Sequence, residues 1–404
     1  MDLTLSEKYE ALQAEVRAFI GEHGHKSPKV GGPRRDPDRK TRDWQKLLVE
    51  HGYAARTVPR QYGGYGAPPD VLEAAVIADA FATAGVSQGL ANQGISMLTP
   101  TLLEVGTEAQ RTAYVGPTIR GDMFWCQGYS EPSSGSDLAS VQTRAVPDGD
   151  DFVVNGQKIW TSSAQFADMM FLLCRTEPEM PKHAGLSYIL LSMKTPGIEV
   201  RPLTTMTGRA EFNEVFFTDV RVPASQIVMS RGQGWHVANV TLKYERLYLG
   251  DANKMSVRLR KVVDLLRTIE IDGERLIALP EYRDRLLRIQ GEVMAWRAHQ
   301  LRLLTEQADG VDSGVKRLIV KYGGTMLLWR MSALAVDAVG AAGLPYEPDG
   351  ETNDATAANL DYMFDIGMII GGGSSNIQKN VIGERGLGLP REPKTQAVSA
   401  GGRA

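Results

Sequence analysis

The sequence predicts an α+β protein in which helices and strands occupy separate parts of the chain. Apolar residues recur at helical spacing up to about residue 120, and helical spacing returns after about residue 225. Runs rich in β-branched and aromatic residues are confined to the interval between them. We therefore expect an N-terminal helical domain at 1–120, a middle β domain at 121–225, a C-terminal helical domain at 226–392 and a flexible tail at 393–404.

Individual elements follow from spacing and from turn residues. Helices are predicted at 5–20, 44–51, 71–84 and 99–105, and again at 235–249, 283–307, 316–339 and 360–385. Strands are predicted at 188–193, 198–203 and 215–222. The apolar run 152–154 is followed by Asn155 and Gly156, which predicts a hairpin with a type I′ turn because Asn-Gly tolerates positive φ.

Composition excludes several classes of protein. The 404 residues carry a formal net charge of −3 and contain no dense basic block, so a surface for nucleic acid or anionic membrane is not indicated. Cys126 and Cys174 fit neither a disulfide framework nor a zinc pattern, and the six histidines show no metal spacing. We expect no membrane-spanning helix, no secretory signal and no metal, and hence a soluble protein of the reduced cytoplasm.

Two clusters in the β region contain residues that suit a ligand. Small and hydroxyl residues crowd the segment 125–137, whose amides and hydroxyls could bind a heteroaromatic ring or a phosphate. From composition alone, an ordinary turn-rich connection explains this segment better. In the segment 157–163, Trp160 is followed by three hydroxyl residues and could stack on a flat ligand. A core tryptophan is the competing interpretation.

Two further features lie in the C-terminal region. Glu245 has mostly apolar neighbours three and four positions away, which would desolvate the carboxylate, raise its pKa and suit a general base. A surface glutamate paired with Lys243 or Arg246 is an equal alternative from spacing alone. The glycine-rich segment 371–376 precedes a helical run and could present free amides to a phosphate or a polar ligand edge, although it is neither a G-x-G-x-x-G nor a Walker loop and no predicted strand precedes it.

Taken together, these segments resemble the acyl-CoA dehydrogenase family over nearly the whole chain. The matching elements are PRQYGGYG at 59–66, GTEAQ at 106–110, GYSEPSSGSD at 128–137, NGQKIWTS at 155–162, TPGI at 195–198 and DVRVP at 219–223. The resemblance implies a three-domain fold with an N-terminal helical domain, a middle β-barrel-like domain and a C-terminal four-helix bundle. It also implies a noncovalent FAD, an acyl-CoA substrate and lipid breakdown of the β-oxidation type.

The resemblance assigns residues by matching position. The residues implied for FAD are Gln127, Tyr129, Ser130, Gly135, Ser136, Trp160, Thr161, Ser162, Ser374 and Asn376. Those implied for the substrate are Ser136, Arg246 and Gly372, the last through its backbone amide. Many family members carry the catalytic carboxylate at the position of Gly372, whereas a minority class carries it in the helix after the β domain. The segment Tyr244-Glu245-Arg246 fits that class and makes Glu245 the predicted base.

One family element is missing from the sequence. An R-x-x-F-G segment that reaches the FAD of a neighbouring subunit has no match at 266–273 (LRTIEIDG). Some relatives that act in steroid side-chain breakdown pair two different subunits, so a hetero-oligomer and a homo-oligomer both stay open, with a tetramer expected. An electron-transfer flavoprotein is the implied electron acceptor. The alternatives are an oxidase or natural-product desaturase on the same scaffold, and a non-catalytic partner subunit.

Overall fold

The computed structural model describes residues 6–29, 38–249, 251–344 and 354–391, without the side chains of 245–249 and 354. The N-terminal domain is helical, as the sequence predicts. Its helices are α1 (Glu7–His23), α2 (Arg39–Glu50), α3 (Val71–Ala84), α4 (Thr99–Val105) and α5 (Glu108–Ile119). A π-helical turn at Gly94–Leu98 leads directly into α4.

Side-chain caps set the starts of the N-terminal helices. The Asp70 carboxylate accepts hydrogen bonds from the first-turn amides of α3, and that helix ends at Gly85 with φ 65°. At α5, Thr107 and Gln110 form a reciprocal capping box. The Tyr62 hydroxyl donates to Glu108 at 2.7 Å and so attaches the glycine-rich 59–66 segment to α5.

The middle domain is a curled seven-stranded sheet. Its strands are β1 (Trp125–Gly128), β2 (Arg144–Asp148), β3 (Asp151–Ser162), β4 (Met169–Arg175), β5 (Leu186–Ser192), β6 (Ile198–Leu203) and β7 (Phe212–Pro223). The order across the sheet is β1-β4-β2-β3-β7-β6, and β5 pairs with β4. The predicted strands are confirmed, but β1, β2 and β4 were missed. The first of them carries the cluster that begins at Trp125.

The predicted hairpin at Asn155 and Gly156 is wrong. Both residues lie inside β3, where the register with β7 shifts, and the hairpin turn is at Gly149, between β2 and β3. The Asn155 side chain makes two hydrogen bonds with Asp219 of β7. Its Nδ2 donates to Asp219 Oδ1 at 3.0 Å, and its Oδ1 accepts from the Asp219 amide at 2.9 Å. A Cβ at Gly156 would lie 2.6 Å from Thr143 Oγ1, so glycine permits a close backbone approach here instead of a turn.

Helices return in the C-terminal domain. They are α6 (Gly234–Leu249), α7 (Ala252–Thr268), α8 (Pro280–Ala308), α9 (Val315–Val339), α10 (Asp354–Ile370) and α11 (Ser375–Val381), with a small hairpin of β8 (Glu270–Ile271) and β9 (Glu274–Arg275) after α7. The predicted helix at 360–385 is instead two helices, because Gly372 and Gly373 adopt φ of 65° and 91° and interrupt it. The tail at 393–404 lies outside the described residues.

The segment Val315–Gly343, which contains α9, is long and apolar enough by length and composition alone to cross a membrane. Length and composition alone do not distinguish a membrane-spanning helix from a core helix, so the sequence-based expectation of no membrane-spanning helix stays an expectation. In the structure α9 is the central helix of the C-terminal bundle and packs against α7, α8 and α10. A core helix surrounded by other helices is expected to be apolar on most sides.

One hydrophobic core joins all three parts of the chain. Val115 of α5, Phe171 of β4 and Val237 of α6 are completely buried in the same cluster. The N-terminal helices, the sheet and the first C-terminal helix therefore meet at one junction, where α6 contacts both α4 and β5.

Candidate active site

The two ligand-like clusters of the β domain lie side by side in the fold. Lys158 of β3 is completely buried, and its Nζ donates to the Tyr129 carbonyl at 2.9 Å and to Glu131 Oε1 at 2.8 Å. The Ile159 amide donates to the Ser130 carbonyl at 2.9 Å. These bonds fix the loop after β1 against the strand that carries Trp160.

Glu131 connects the two ends of the loop after β1 through hydrogen bonds of its buried side chain. Its carboxylate oxygens accept from the amides of Gln142 and Thr143 at 2.6 and 2.8 Å, in addition to the Lys158 ammonium. Burial favours a higher pKa for Glu131, but the Lys158 charge and the hydrogen bonds outweigh it and hold that pKa below its ordinary value. Burial lowers the pKa of Lys158 against the opposing effect of Glu131. The geometry is that of a buried ion pair with its remaining bonds satisfied.

Arg175 holds the far end of the same loop. This buried side chain on β4 donates from Nε to the Val141 carbonyl at 3.1 Å and from Nη2 to the Ala139 carbonyl at 2.8 Å. Between these anchors, Gly135, Ser136 and Asp137 are exposed, whereas Ser134 is buried. The loop thus has a fixed base and an accessible outer segment.

Trp160 lies at a β-bulge and is presented to solvent. The register between β3 and β7 shifts between Lys158 and Thr161, and Trp160 has φ 60°, in the left-handed region. Its side chain is 57% exposed and contacts Phe212 edge-on, with ring centroids 6.1 Å apart. A large apolar side chain held outward on strained backbone is typical of a ligand-contact position. The core interpretation of Trp160 is therefore excluded.

Three serines of the two clusters have hydroxyl groups that suit the polar edge of a flat heteroaromatic group. Ser130 and Ser162 are half-buried and Ser136 is exposed, and within the described part of the chain their hydroxyl groups make no hydrogen bond. Gln127 is half-buried on β1, and its Oε1 accepts from Gln93 at 3.4 Å. Together with the exposed indole of Trp160, these groups suit a flavin.

Two of the residues implied for FAD, Tyr129 and Thr161, have buried side chains, and their assignments stay predictions. The Tyr129 ring is buried and packs edge-on against Phe171 and Tyr188. Thr161 is 1% exposed, its Oγ1 is enclosed within the sheet, and its carbonyl accepts from Asn213 at 2.9 Å. Strand alternation places Thr161 on the inner face, opposite to that of its neighbours.

Helix α6 brings the predicted base to the junction between domains. Thr241 is completely buried, and its Oγ1 lies 3.1 Å from Thr101 Oγ1 of α4 and 3.3 Å from Tyr188 Oη of β5. Position 245 follows one helical turn later on the same side of α6. The side chains of Glu245 and Arg246 lie outside the described residues, so their assignments stay predictions.

The glycine-rich segment forms a tight turn between α10 and α11. Ser374 caps α11 through a hydrogen bond from the Ile377 amide at 3.3 Å, and Asn376 is exposed. Lys321 of α9 donates to the carbonyls of Ile369 and Gly373, on either side of Gly372. None of the hydrogen bonds described for this turn reaches the β-domain clusters, so a role for Ser374 and Asn376 at the flavin of a neighbouring subunit stays a prediction.

Sequence reasoning missed the residues that hold the loops in place. Glu131 and Lys158 were part of quoted motifs without a role, and Arg175 and Lys321 were not singled out. A charged residue within an otherwise apolar run is the signal that finds them. Arg175 ends the run Met169–Arg175, and Lys321 interrupts the apolar face of α9. Such residues are buried only when they are paired.

Comparison with known proteins agrees with this architecture. Family models for the N-terminal, middle and C-terminal domains of acyl-CoA dehydrogenases match residues 6–122, 126–220 and 232–387. The chain belongs to the acyl-CoA dehydrogenase family, whose members are oxidoreductases and typically flavoproteins that bind FAD.

Relatives in this family include proteins of Mycobacterium tuberculosis. The chain is 37% identical to the acyl-CoA dehydrogenase IpdE1 of that organism over 399 residues, which is 95% of this chain and 99% of the relative. Among solved structures it resembles the Tcur3481-Tcur3483 steroid ACAD, with a TM-score of 0.81, 30% identity and coverage of 97% and 100% of the two chains. The ChsE4-ChsE5 complex from Mycobacterium tuberculosis follows, with a TM-score of 0.80, 28% identity and the same coverage.

Proposed function

We propose that this protein is an FAD-dependent acyl-CoA dehydrogenase that introduces an α,β double bond into an acyl-CoA thioester. The observation that carries the proposal is the joining of the two β-domain clusters. The buried pair of Lys158 and Glu131 sets Ser130 beside the strand that presents Trp160. This arrangement gives an exposed aromatic face with hydroxyl groups at its edge, which suits an isoalloxazine ring.

The reaction needs a base for the α-proton and an acceptor for the β-hydride. When bound, FAD supplies the hydride acceptor. We assign the base to Glu245. The assignment is supported by Thr241, one helical turn earlier on α6, whose hydroxyl contacts Thr101 of α4. Its carboxylate takes the α-proton, the electrons of that C–H bond form the double bond, and a hydride leaves the β-carbon. A low-polarity environment keeps such a carboxylate basic enough for the transfer.

The thioester carbonyl must be polarised for the α-proton to become acidic. We assign this hydrogen bond to the Gly372 amide, which donates to no other residue in the described part of the chain. A donor aimed at the oxygen stabilises the enolate-like charge that develops during proton removal. Ser136 and Arg246 remain proposed substrate contacts.

We infer a bulky acyl group and an oligomeric enzyme. The Tcur3481-Tcur3483 structure is named a steroid ACAD, which supports the bulky acyl group. Its name and that of the ChsE4-ChsE5 complex each join two chains, which supports testing a partner subunit. We expect a tetramer of one or two kinds of chain, with an electron-transfer flavoprotein as acceptor. Cys126 and Cys174 are buried free thiols, which supports a reducing compartment such as the cytoplasm.

Anaerobic flavin bleaching tests the proposal. The purified protein, alone and with a candidate partner chain, is mixed with short, branched, aromatic and steroidal acyl-CoAs while the flavin absorbance is followed. Stoichiometric bleaching by at least one thioester supports the proposal. If the protein binds no added FAD, either alone or with the partner chain, the proposal is contradicted. Rapid reoxidation of the reduced protein by oxygen identifies an oxidase instead.

A further inference from the structure

The C-terminal domain contains a buried lysine that the mechanism above does not use. Lys321 lies near the start of α9 and is 1% exposed. Its Nζ donates to the Ile369 carbonyl at 3.1 Å and to the Gly373 carbonyl at 2.6 Å. Ile369 belongs to the last turn of α10, where helical carbonyls lack partners within their own helix. One ammonium group therefore connects the end of α10 to the far side of the turn at residues 371–373.

The turn itself needs an unusual backbone. Gly372 and Gly373 have φ of 65° and 91°, in the region that side chains other than glycine disfavour. A Cβ at Gly373 would lie 2.6 Å from Nε2 of the buried Gln378, whereas a Cβ at Gly371 would meet nothing closer than 3.5 Å. The Gly371 amide donates to the Gly367 carbonyl at 2.9 Å. The backbone is thus fixed before and after Gly372.

The lysine is costly at this position unless it has a specific role. Burying an ammonium group requires compensating hydrogen bonds, whereas an apolar residue would suit the surroundings of α9 without them. The negative end of the α10 dipole and the two carbonyls supply that compensation. What the lysine adds over an apolar side chain is a defined position for the two carbonyls on either side of Gly372.

We propose that Lys321 is a positioning residue, which holds the 371–373 turn so that the Gly372 amide points at the substrate thioester oxygen. The inference rests on the proposed function, because that function assigns the amide to the thioester. Lys321 acts through the turn and touches neither substrate nor flavin. Losing it frees the turn, misdirects the amide and weakens the stabilisation of the enolate-like charge.

Hydrogen exchange tests the structural half without any ligand. Lys321→Met keeps the length of the side chain and removes the ammonium. We expect peptides covering 371–376 to exchange about tenfold faster or more, because a fixed turn becomes locally mobile. Lys316→Met is the matched control, since Lys316 lies on the same helix and its partly exposed side chain pairs with Glu306. Equal exchange in wild type and Lys321→Met overturns the proposal.

Acetoacetyl-CoA tests the catalytic half as an acidic thioester that cannot be dehydrogenated in the same way. When acetoacetyl-CoA binds to the FAD-loaded protein, its enolate is detected by long-wavelength charge-transfer absorbance. We expect Lys321→Met to raise the pH midpoint of enolisation by about one unit, a tenfold weaker ionisation. In steady-state turnover, Lys321→Met should lower kcat by a larger factor than it changes KM. A wild-type protein that binds acetoacetyl-CoA, with an unshifted midpoint in Lys321→Met, overturns the positioning role. A wild-type protein that binds neither acetoacetyl-CoA nor any acyl-CoA of the bleaching panel refutes the proposed function itself. If only a bulky panel acyl-CoA binds, the rate of flavin reduction by that thioester replaces the enolisation midpoint, and an equal rate in Lys321→Met overturns the positioning role.

A second variant keeps the lysine and disturbs the same turn. Gly373→Ala places a Cβ against Gln378 on a backbone that alanine disfavours, so it should shift exchange and enolisation in the same direction as Lys321→Met. Gly371→Ala is its control, because that site has room for a methyl group and no positive φ. If Lys321→Met does not fold, these two glycine variants decide the question. Equal enolisation midpoints in Gly373→Ala and Gly371→Ala would overturn the proposal.

Discussion

The Lys158 ammonium lies 2.8 Å from the Glu131 carboxylate, and both groups are buried beneath the loop that leads into Ser136. Each group also bonds backbone of the loop, at the Tyr129 carbonyl and at the Gln142 and Thr143 amides. The pair therefore orders the loop and does more than neutralise a charge. A network of this kind fixes one conformation when every member is satisfied.

Breaking this pair should cost both stability and flavin retention. We predict that Lys158→Met lowers the free energy of unfolding by about 3–5 kcal/mol, because it leaves the buried Glu131 carboxylate unpaired. FAD should dissociate more readily from the variant. Chemical denaturation and the flavin dissociation constant measure the two effects.

The control is an exposed ion pair to the same loop, made by a lysine between β4 and β5. Lys182 pairs with Asp137, but both side chains are largely exposed, so Lys182→Met should cost less than about 1 kcal/mol. A double-mutant cycle of Lys158→Met and Glu131→Gln should show coupling above about 1 kcal/mol. Strict additivity would show that the two residues act independently.

Replacing Trp160 should separate ligand binding from folding. Trp160→Gly removes an exposed side chain and places glycine at φ 60°, so the stability of the apoprotein should stay within about 1 kcal/mol of wild type. Flavin affinity should fall at least tenfold, because the aromatic contact is lost. Val146→Ala, at another exposed apolar position of the sheet, should change neither quantity. A large loss of stability with unchanged flavin affinity would make Trp160 a structural residue.

Sequence patterns predicted the helical and β regions well, because helical and strand spacing report burial on one face. They failed where tertiary contacts decide. Asn155 and Gly156 have the composition of a turn, yet Asp219 and Thr143 hold them inside β3. A tryptophan in a strand is usually a core residue, yet a β-bulge turns the side chain of Trp160 outward.

The candidate site shows the same division. The hydroxyl-rich segments were found from their residues, and their joint role came from the family resemblance. The anchors were not found. A charge within an apolar run marks Lys321 as a candidate for burial, but only the fold shows which groups Lys158 and Lys321 bind. A single sequence carries no information on which buried carbonyl a long side chain reaches.

Charge burial in the C-terminal bundle should make stability depend on pH. Asp365 of α10 is 2% exposed, and Arg258 of α7 lies 3.3 Å from it and 2.8 Å from Asp361. Burial raises the pKa of Asp365 to about 6, against the opposing effect of Arg258. Two carboxylates thus share one guanidinium, and a proton on Asp365 relieves the excess negative charge.

The sign of the effect follows from proton binding. An unfolded aspartate has a pKa of about 3.9, so between roughly pH 4 and pH 6 the folded state holds more protons than the unfolded state. The free energy of unfolding should therefore decrease as pH rises through this window, by about 2–3 kcal/mol from this group. Asp365→Asn should remove that contribution. Asp337→Asn removes an exposed, paired carboxylate from α9 and serves as the control. Parallel pH profiles for wild type and Asp365→Asn would contradict the prediction.

The catalytic assignment is tested at Glu245. Glu245→Gln keeps the size of the side chain and removes the carboxylate, so FAD and acyl-CoA should still bind. Flavin reduction should slow by about 10²-fold or more, the scale expected for losing a positioned base. Glu104→Gln is the matched control, because that carboxylate accepts from the Tyr244 hydroxyl at 2.8 Å beside α6 without a proposed part in the chemistry.

Moving the carboxylate, as in Glu245→Gly with Gly372→Glu, should rescue only a small part of the rate. Gly372 has φ 65°, which glutamate tolerates poorly, and the Lys321 contacts hold the turn in that conformation. Stopped-flow flavin reduction measures all four proteins, and a wild-type rate in Glu245→Gln would assign the base to another group.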